Sequence, residues 1–551
     1  MDNNLLSSLR NLIKGDVATD NETLNLYSHD ASLFEVQPQA VVFPKDVLDV
    51  KNLVKFVNQN KRLHSSLSLT ARSAGTDMSG GSINDSIIVG FNKYFNHVKN
   101  ISGFIAVTEP GVFYRDFEKE TLKHGLIFPS YPASKEICAI GGIVNNNSGG
   151  EKSLEYGKTE KYVEELKVIL SDGNEYIFKP LNTKELQDKL TLNSFEGEIY
   201  RKIYKLVTQN YDLLQKAKPN VSKNSAGYYL WNIYDKKANI FNLIKLFVGA
   251  QGTLGLITEA KLKLVPVKKY SEMRIIFLND LKHLGNIINA ILPLEPESFE
   301  TYDDHTLKLA IRFFPSFAKL LGTKGLLQTA WNFLPEFFMI LTGGIPKLVL
   351  QVEFAGNSDK ILKEKIKNLE EALKAFHLKA RTARSKKEEK KYWIIRRESF
   401  NLLRYNIKDK HTAPFIDDFI VRPEYLQKFL PELNAIFSKY PDLIYTIAGH
   451  LGDGNFHIIP LMDIKDPKQR ALIPTLADEV YDLVLKYKGS ITAEHNDGLI
   501  RTPYLKKMYG EKVYELFEQT KKIFDPNNIF NPRKKVRGDL KFALDHIRQN
   551  W

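Results

Sequence analysis

Cysteine is nearly missing from this chain of 551 residues, which has a single one, Cys138. One thiol excludes an intrachain disulfide framework, and it also excludes an iron–sulfur cluster ligated by cysteines of this chain. A lack of disulfides is consistent with a reducing compartment, where thiols stay free. We therefore predict a cytoplasmic location, with peripheral contact at the inner face of a membrane left open.

Long apolar runs are also missing. The chain has no stretch of about 18 uncharged apolar residues, the length from which a membrane-spanning helix is recognised. The N-terminal segment places leucines at helical spacing (Leu5, Leu6, Leu9 and Leu12), but it lacks the basic start and long apolar run of a signal peptide. The sequence predicts neither a spanning helix nor a secretory leader.

Nucleic-acid-binding motifs are absent, although the chain has a net charge of +13. Its basic residues are spread thinly apart from Lys386–Lys391 and Arg533–Arg537, and they form no zinc-finger or RNA-binding signature. We predict no nucleic-acid partner. The positive charge also suits acidic small molecules or an anionic membrane surface.

The chain has no low-complexity tract and no fixed-period repeat, and its composition is that of a globular protein. Its length predicts two or three domains, and its short apolar runs and amphipathic stretches predict an α+β fold. We expect an N-terminal helical segment over residues 1–34 and a first domain over 35–267. A second α+β domain over 268–551, ending in a helical segment, is expected to cover the first.

Several elements can be read from the apolar pattern. We predict strands at Ala40–Phe43, Ser86–Phe91, Thr258–Val265, Met273–Phe277, Phe415–Val421 and Ile444–Ile447, a hairpin over Val163–Phe178, and helices at Asp46–Asn60, Asp280–Leu292 and Lys360–Phe376.

Three segments of small and polar residues interrupt the first domain, at 72–82, 140–150 and 249–259. Small residues let successive backbone N–H groups converge on an anion. In the middle segment, an apolar strand is predicted among asparagines and glycines that are poor strand formers. A single segment of this kind is more often a flexible surface loop, but three within one domain predict a dinucleotide.

In this order and at these separations, the three segments resemble the FAD-binding domain of the vanillyl-alcohol oxidase/p-cresol methylhydroxylase (PCMH) superfamily. Within it, the chain resembles the D-lactate and D-2-hydroxyglutarate dehydrogenase group, which includes the FAD subunit of glycolate oxidase, from about Tyr27 to Val536. The resemblance implies a PCMH-type FAD-binding domain over 35–267 and an FAD-linked oxidase C-terminal (substrate or cap) domain over 268–551.

The resemblance also implies which residues contact FAD. Those at the pyrophosphate would be Arg72, Ser73, Ala74, Gly75, Thr76, Asp77, Ser79, Gly80 and Ser82. Those along the adenosine and isoalloxazine would be Pro132, Ser134, Gly141, Gly142, Asn146, Ser148, Gly149, Tyr156 and Gly157, with Ile257 near the adenine or ribose end. The family loop reads closer to three glycines before the threonine, so this chain predicts a slightly wider phosphate turn. The loop has no histidine or cysteine, and we expect non-covalent FAD.

The second domain carries a candidate metal site. His450 and His457 lie seven residues apart across a glycine-rich turn, which lets the chain bend so that both imidazoles face one point. Glu494 adds a carboxylate beside a third imidazole, His495. Two histidines and one glutamate suit a divalent metal with an open position, the alternative being satisfied polar residues of a core. The resemblance implies that His450, His457 and Glu494 ligate a metal, which we expect to be zinc or manganese.

The remaining catalytic roles also come from the resemblance. His495 matches the general base, a role that a neutral imidazole suits. Arg396 best matches the arginine that clamps the substrate carboxylate, with Arg397 as its rival. Phe400 stands where D-2-hydroxyglutarate enzymes have threonine, which puts recognition of a second carboxylate in doubt. Asn455 is a further candidate for substrate contact.

The sequence thus predicts an FAD-dependent dehydrogenase that oxidises a small D-2-hydroxy acid to the 2-oxo acid by hydride transfer to flavin N5. Electrons would leave to a separate quinone, cytochrome or electron-transfer protein. Two alternatives are kept. One is a non-redox flavoenzyme like the alkylglycerone phosphate synthases, which lack the His450, His457 and Glu494 arrangement, and the other is an electron-relay subunit without its own substrate.

The segment from Leu307 to Leu350 is dense in aromatic residues and leucine, with lysines among them. Aromatic and basic side chains suit a membrane surface, which would give access to a quinone. The other interpretation, which we favour slightly, is a set of packed helices of the covering domain or the interface of a homodimer.

Overall fold

The computed structural model describes residues 1–312, 344–383, 385, 388–389, 391–396 and 410–549. Most of the aromatic segment 307–350 lies outside the described residues, as do Arg397 and Phe400. Within the described part, no helix is long and apolar enough to span a bilayer.

The first half of the chain contains a four-stranded sheet, a five-stranded sheet and two pairs of short strands, with helices around them. Its helices are α1 (Asn3–Leu12), α2 (Asn21–Tyr27), α3 (Val47–Asn60), α4 (Tyr114–Leu122), α5 (Ile140–Asn146), α6 (Ser153–Tyr156), α7 (Thr183–Thr191), α8 (Phe195–Gln209), α9 (Tyr211–Ala217) and α10 (Ile244–Phe247). Its strands are β1 (Asp16–Ala18), β2 (Ala40–Phe43), β3 (Leu69–Arg72), β4 (Ile87–Gly90), β5 (Val98–Ser102), β6 (Ile105–Thr108), β7 (Leu126–Ile127), β8 (Val163–Ile169), β9 (Glu175–Phe178), β10 (Tyr234–Asp235), β11 (Ile240–Phe241), β12 (Leu256–Lys263) and β13 (Val265–Pro266).

The first sheet has the order β1-β2-β4-β3, and β4 is parallel to both of its neighbours. Every residue of β4 is buried, as expected of a parallel strand covered on both faces. Strand β3 leads directly into the segment 72–82, so the end of this sheet holds the predicted phosphate loop.

The second sheet has the order β5-β6-β12-β8-β9. Strands β8 and β9 form the predicted hairpin, and β12 is the central strand. Alternate residues of β12 are buried against α8 and α10, as its sequence pattern predicted.

One predicted element of this domain is wrong. The apolar stretch after Ala139 is the helix α5 and not a strand. A Cβ on Gly141 would lie 2.7 Å from Pro110 Cβ, so the glycine allows the helix to start in close contact with its neighbour. The helix ends at Asn147, which has a left-handed backbone (φ 50°).

The second half is built on one large sheet. Its helices are α11 (Leu284–Ile291), α12 (Asp304–Arg312), α13 (Asp359–Leu373), α14 (Leu426–Phe437), α15 (Pro467–Lys486), α16 (Gly498–Arg501), α17 (Leu505–Tyr509), α18 (Glu511–Phe524) and α19 (Leu540–Asp545). Its strands are β14 (Tyr270–Leu278), β15 (Ser298–Asp303), β16 (Leu348–Gly356), β17 (Lys379–Thr382), β18 (His411–Thr412), β19 (Phe419–Ile420), β20 (Ile444–His450) and β21 (Asn455–Met462).

Among the described strands the large sheet has the order β17-β14-β16-β15-β20-β21-β18, with β19 paired to β21. The strand predicted at Phe415–Val421 shortens to β19, because Asp418 has φ +69° and interrupts the extended backbone. The helix predicted from Asp280 begins only at Leu284. The mixed helices and sheets confirm the α+β fold class.

The end of the chain returns to the first half. Residues of α18, among them Phe517 and Phe524, belong to the apolar core under the second sheet. Ile529 and Phe530 belong to the core under the first sheet. This part of the chain therefore packs into both apolar cores of the first half.

Candidate active site

The hairpin of β20 and β21 carries two of the predicted metal ligands. His450 pairs with Asn455, and Ala448 pairs with His457. Because opposed residues share a face and side chains alternate along a strand, His450, Asn455 and His457 project from one face. The ring centroids of the two histidines are 5.3 Å apart. The turn between them ends at Gly454, whose φ of +72° favours glycine, so the predicted bend is confirmed.

The imidazoles of His457 and His495 share one buried carboxylate. Asp417 Oδ1 lies 3.1 Å from His457 Nδ1, and Asp417 Oδ2 lies 2.5 Å from His495 Nδ1. The two rings are stacked, with centroids 5.0 Å apart and an angle of 22° between their planes. Each ring therefore turns its Nε2 atom away from Asp417.

The neighbouring carboxylate, Asp418, shapes the turn that presents Glu494 and His495. Its Oδ2 accepts hydrogen bonds from the backbone N–H groups of Ala493, Glu494 and His495 at 3.0, 2.7 and 2.6 Å. Its Oδ1 accepts one from Asn455 Nδ2 at 3.1 Å. Asn455 thus joins the hairpin to this turn. Its side-chain amide donates to Asp418 Oδ1 and to the backbone oxygen of Phe419, so its N–H groups are used in contacts within the protein.

Glu494 is held between a lysine and a histidine. Its Oε1 accepts a hydrogen bond from Lys223 Nζ at 2.6 Å, and its Oε2 lies 3.4 Å from His450 Nε2. Lys223 is fully buried and also lies 3.2 Å from Asp453 Oδ2 and 3.1 Å from Ser153 Oγ. The ammonium contacts one oxygen of Glu494, so the other faces the histidines.

A second buried carboxylate, Glu300, connects His450 with Arg396. Glu300 Oε1 lies 2.8 Å from His450 Nδ1, and Glu300 Oε2 forms an ion pair with Arg396. Arg396 is almost completely buried. The structure thus brings the predicted arginine to the same site, with one edge of its guanidinium already facing a carboxylate of the protein.

The carboxylates dominate the electrostatics of the imidazoles. Burial alone would lower the pKa of His495, but Asp417 and Asp418 outweigh it and raise that pKa to about 9. At His450 burial also acts to lower the pKa, but the carboxylates around it, chiefly Glu300, outweigh it, and the pKa is raised above its usual value. The pKa of Glu494 is well below its usual value, because Lys223 and His450 outweigh the effect of burial. The carboxylates thus favour the protonated, positively charged form of the two imidazoles.

Parts of this set have the spacing of a divalent cation site. Ligands about 2.1 Å from a tetrahedral ion lie roughly 3.4 Å from each other, the separation of His450 Nε2 and Glu494 Oε2. His450 and His457 each direct Nδ1 at a carboxylate, the arrangement in which Nε2 is free to ligate. The group at this site whose ligand atoms all lie within 4.8 Å of one another is Asp418, His457, Glu494 and His495, and it does not include the predicted ligand His450.

The segment 72–82 has the donors that a phosphate needs. Among the described residues, the backbone N–H groups from Ser73 to Met78 have no hydrogen-bond acceptor in the protein. Gly75 has φ +68°, which turns the chain sharply within this run. Consecutive N–H groups without a protein acceptor form an anion-binding nest. The segment therefore fits the pyrophosphate of FAD.

The side chain of Asp77 holds the segment in shape. Its carboxylate accepts hydrogen bonds from the N–H of Ser79 at 3.2 Å and from the N–H of Gly81. Arg72 NH1 donates to the backbone oxygens of His29 and Tyr27, and its guanidinium lies against Gly75, where an added Cβ would clash with NH2. The side chains of Asp77 and Arg72 thus shape the segment.

Amide side chains connect the small-residue segments. Asn145 Oδ1 accepts from Gly252 N at 2.9 Å, and Gln251 Nε2 donates to Ser79 Oγ at 3.1 Å. Asn496 Nδ2 donates to Gly249 O at 2.9 Å. The three segments and the turn after His495 therefore form one connected surface.

Two glycines allow the segments of this surface to lie in direct contact, because a side chain would not fit between them. A Cβ on Gly142 would lie 3.2 Å from Ser73 Oγ, and a Cβ on Gly149 would lie 2.7 Å from Glu494 Oε1. The second contact places the predicted flavin segment directly against a predicted metal ligand. The predicted cofactor and metal residues are thus adjacent.

The other predicted FAD residues lie near this surface or in its support. Pro132 and Ser134 lie in a turn before α5, and the carbonyl of Ser148 accepts from Ser130 Oγ at 2.9 Å. Tyr156 and Gly157 end helix α6. Ile257 is buried in β12 within the core of the second sheet.

Four supporting residues were missed by the sequence reasoning: Asp417, Asp418, Glu300 and Lys223. The two aspartates stand together in an apolar stretch, which is a usable sign of buried carboxylates because isolated buried charges are costly. Glu300 and Lys223 give no such sign. Their partners lie far away in the chain, 150 residues for Glu300 and His450 and 271 for Lys223 and Glu494.

Comparison with known families agrees with this arrangement. The family model described as FAD binding domain matches residues 38–178, and the model described as FAD linked oxidases, C-terminal domain, matches residues 270–535. Among solved structures, p-cresol methylhydroxylase with bound substrate has a TM-score of 0.68 at 16% identity, covering 98% of this chain and 97% of that one. An alkyldihydroxyacetonephosphate synthase has a TM-score of 0.66 at 16% identity, covering 97% and 85%. At this identity the structures show the fold alone.

Curated relatives are more similar in sequence. A D-2-hydroxyglutarate dehydrogenase of Pseudomonas putida is 27% identical over 96% of this chain, but the chain spans only 51% of that protein. A D-2-hydroxyglutarate dehydrogenase of Stutzerimonas stutzeri is 26% identical over 96% of this chain and 98% of its own length. The glycolate oxidase subunit GlcD of Bacillus subtilis is 26% identical over 94% and 93%.

Proposed function

We propose that this chain, which belongs to the FAD-linked oxidases, oxidises a small D-2-hydroxy acid to the 2-oxo acid. Its similarity to curated D-2-hydroxyglutarate and D-lactate dehydrogenases, at 27% and 24% identity, supports this substrate class. The observation that carries the proposal is that His457, Glu494 and His495 offer ligand atoms within 4.8 Å of one another, with His450 3.4 Å from Glu494, at the edge of the glycine-lined surface.

The cofactors would supply the redox chemistry and the Lewis acid. Bound FAD would accept the hydride from C2 of the substrate at N5, and a divalent cation held by His450, His457 and Glu494 would polarise the hydroxyl and carboxylate oxygens. The donor set of two imidazoles and one carboxylate suits zinc or manganese.

His495 is the proposed general base. Its Nδ1 is bonded to Asp417, so its Nε2 is the atom available to take the hydroxyl proton. The carboxylates around it raise its pKa to about 9. Positive charge at the neighbouring ligands would lower that pKa and favour the neutral imidazole that a base requires.

Arg396 is the proposed clamp for the substrate carboxylate. Its buried guanidinium is fixed by Glu300, which fixes His450 as well. A guanidinium is the side-chain group that best matches the planar geometry of a carboxylate. The clamp and the metal ligand are therefore held by the same carboxylate, which fixes the position of the substrate carboxylate relative to its hydroxyl.

The proposal is tested with the purified holoprotein under anaerobic conditions. Glycolate, D-lactate, L-lactate and D-2-hydroxyglutarate are added separately, and the absorbance of oxidised flavin is followed. We expect bleaching by at least one D-2-hydroxy acid. The proposal is wrong if bound FAD is reduced by none of them, both before and after zinc or manganese is supplied. An artificial quinone then tests whether the reduced flavin passes electrons to a separate acceptor.

A further inference from the structure

The carboxylate of Asp417 contacts two imidazoles that have different tasks in the proposed reaction. One oxygen lies 3.1 Å from Nδ1 of His457, a proposed metal ligand, and the other lies 2.5 Å from Nδ1 of His495, the proposed base. Asp417 is completely buried. Both oxygens are therefore committed to the two rings and neither faces bulk water.

Each task requires a specific tautomer. A metal ligand and a general base both need a lone pair on the reacting nitrogen, which in a neutral imidazole means that the proton is on the other nitrogen. A carboxylate only accepts hydrogen bonds. Asp417 therefore requires a proton on both Nδ1 atoms, and this leaves both Nε2 atoms with lone pairs when the rings are neutral.

Asp417 is itself held in place. Its backbone oxygen accepts a hydrogen bond from Arg501 NH2 at 2.5 Å, and Arg501 NH1 donates to Asn496 O at 3.0 Å. Arg501 is fully buried. Asn496 in turn donates to Gly249 O in the third small-residue segment. This chain of contacts ties the carboxylate to the surface proposed to bind FAD.

We propose that Asp417 is a positioning residue that sets the tautomer and the orientation of His457 and His495 together. The inference rests on the proposed function, because it assigns the two rings to metal ligation and proton transfer. It adds that one carboxylate links metal ligation by His457 to proton transfer by His495, so that a change at Asp417 affects both.

The variant Asp417→Asn separates this role from simple packing. Its side chain has nearly the same shape, but one of the two oxygens becomes an NH₂ group, which donates and cannot accept from an imidazole. Only one of the two imidazoles can then keep its hydrogen bond to this side chain. We expect a metal affinity about 10–100-fold weaker, the usual effect of losing an outer hydrogen-bond partner, or slower flavin bleaching at saturating metal, or both.

The measurements are a Co²⁺ titration of the metal-stripped holoprotein by visible absorption and anaerobic bleaching by the best hydroxy acid. FAD content and the thermal midpoint are measured on the same samples. Asp49→Asn is the matched control, since Asp49 is also fully buried and accepts N–H groups of Lys14, Gly15 and Lys45 far from the site. We expect the control to keep wild-type Co²⁺ affinity and bleaching.

Wild-type Co²⁺ affinity and wild-type bleaching in Asp417→Asn would overturn the inference. If the wild-type protein is bleached by no hydroxy acid, the proposed function fails, and the Co²⁺ titration alone then decides whether Asp417 positions His457. An unchanged affinity counts against the inference in that case too.

A second measurement needs no Asp417 variant to fold. Histidine-selective ¹⁵N NMR of the zinc-loaded wild type reads the protonated nitrogen of each ring, and His457→Ala and His495→Ala assign the two signals by their loss. We expect protonated Nδ1 and unprotonated Nε2 in both rings. A ring protonated only at Nε2 would show that Asp417 does not set its tautomer.

Discussion

At the scale of single residues, His495 is the side chain on which the proposed proton transfer depends. We predict that His495→Ala retains FAD but reduces the rate of flavin bleaching by at least about 100-fold, the lower range for general acid–base catalysis. Rapid-mixing absorbance under anaerobic conditions measures the rate. His97→Ala is the control, because His97 is mostly exposed and pairs only with Glu109. Bleaching by His495→Ala at the wild-type rate would remove His495 from this role.

Glu353 gives a prediction about stability and pH. Burial, with a smaller effect of Glu297, raises the pKa of Glu353 to about 7. A carboxyl group whose folded pKa is raised binds its proton more tightly in the folded state, so stability falls as the pH rises from about 4.5 to about 7 and stays at the lower level at higher pH. We expect Glu353→Gln to raise the thermal midpoint by about 2 °C at pH 8 and to change it little at pH 4.5.

The neighbouring carboxylate should behave in the opposite way. Glu297 lies 3.0 Å from Lys152 Nζ and 3.3 Å from Lys268 Nζ. Glu297→Gln removes the partner of both ammonium groups, and we expect it to lower the thermal midpoint at pH 8. If both variants shifted the thermal midpoint by the same amount in the same direction, Glu353 would not be the carboxyl group whose burial lowers stability at pH 8.

Sequence reasoning at this scale found the residues proposed to react but not the residues that hold them. His450, His457, Glu494 and His495 stand in short motifs whose residue types are chemically suggestive. Lys223 stands in an ordinary polar stretch, and only the fold brings its ammonium to Glu494. A buried partner that is distant in the chain leaves no periodic signal, because its position depends on how two domains pack.

At the scale of elements, the hairpin β20–β21 could be inferred in part. The sequence predicted a bend between His450 and His457, but only the register shows that His450 opposes Asn455 and that both histidines therefore share a face. Helix α5 was predicted as a strand because its apolar residues are few and β-branched, which favours a strand locally. The close approach of Gly141 to Pro110 is a tertiary contact, and local sequence patterns do not report it.

The segment after α5 leads to a prediction about the metal site. A Cβ on Gly149 would lie 2.7 Å from Glu494 Oε1, which is closer than real Cβ contacts allow. Since Lys223 holds the same oxygen, the carboxylate has little room to move away. We expect Gly149→Ala to weaken Co²⁺ affinity by about 10-fold or more while FAD stays bound.

The control is Gly356→Ala in β16, where the nearest atom to an added Cβ is Leu362 Cδ2 at 3.6 Å, an ordinary contact. Co²⁺ titration and the flavin absorbance of the purified protein measure the two properties. Loss of FAD together with metal affinity in Gly149→Ala would instead show that the substitution disrupts the whole surface.

At the scale of the molecule, the sequence predicted two domains but not the packing of the chain's end. The sequence assigned residues 268–551 to one domain because the pattern of apolar, aromatic and charged residues changes after Pro266. In the structure, Lys521 Nζ donates to Thr253 O, and Lys535 Nζ donates to Ser225 O and Gly227 O. Buried lysines of the C-terminal segment thus satisfy carbonyl groups of the first half.

Phe524 tests whether this end of the chain stabilises the FAD-binding half. Its ring is fully buried and packs edge-on against Phe247, with centroids 5.3 Å apart, in the core under the second sheet. Phe524→Ala should destabilise that half by about 3–5 kcal/mol and lower the temperature at which FAD is released. Flavin fluorescence during heating reports this temperature. Ile361→Ala, at an exposed position of α13, should leave it unchanged. If Phe524→Ala releases FAD at the wild-type temperature, the C-terminal segment does not support the first domain.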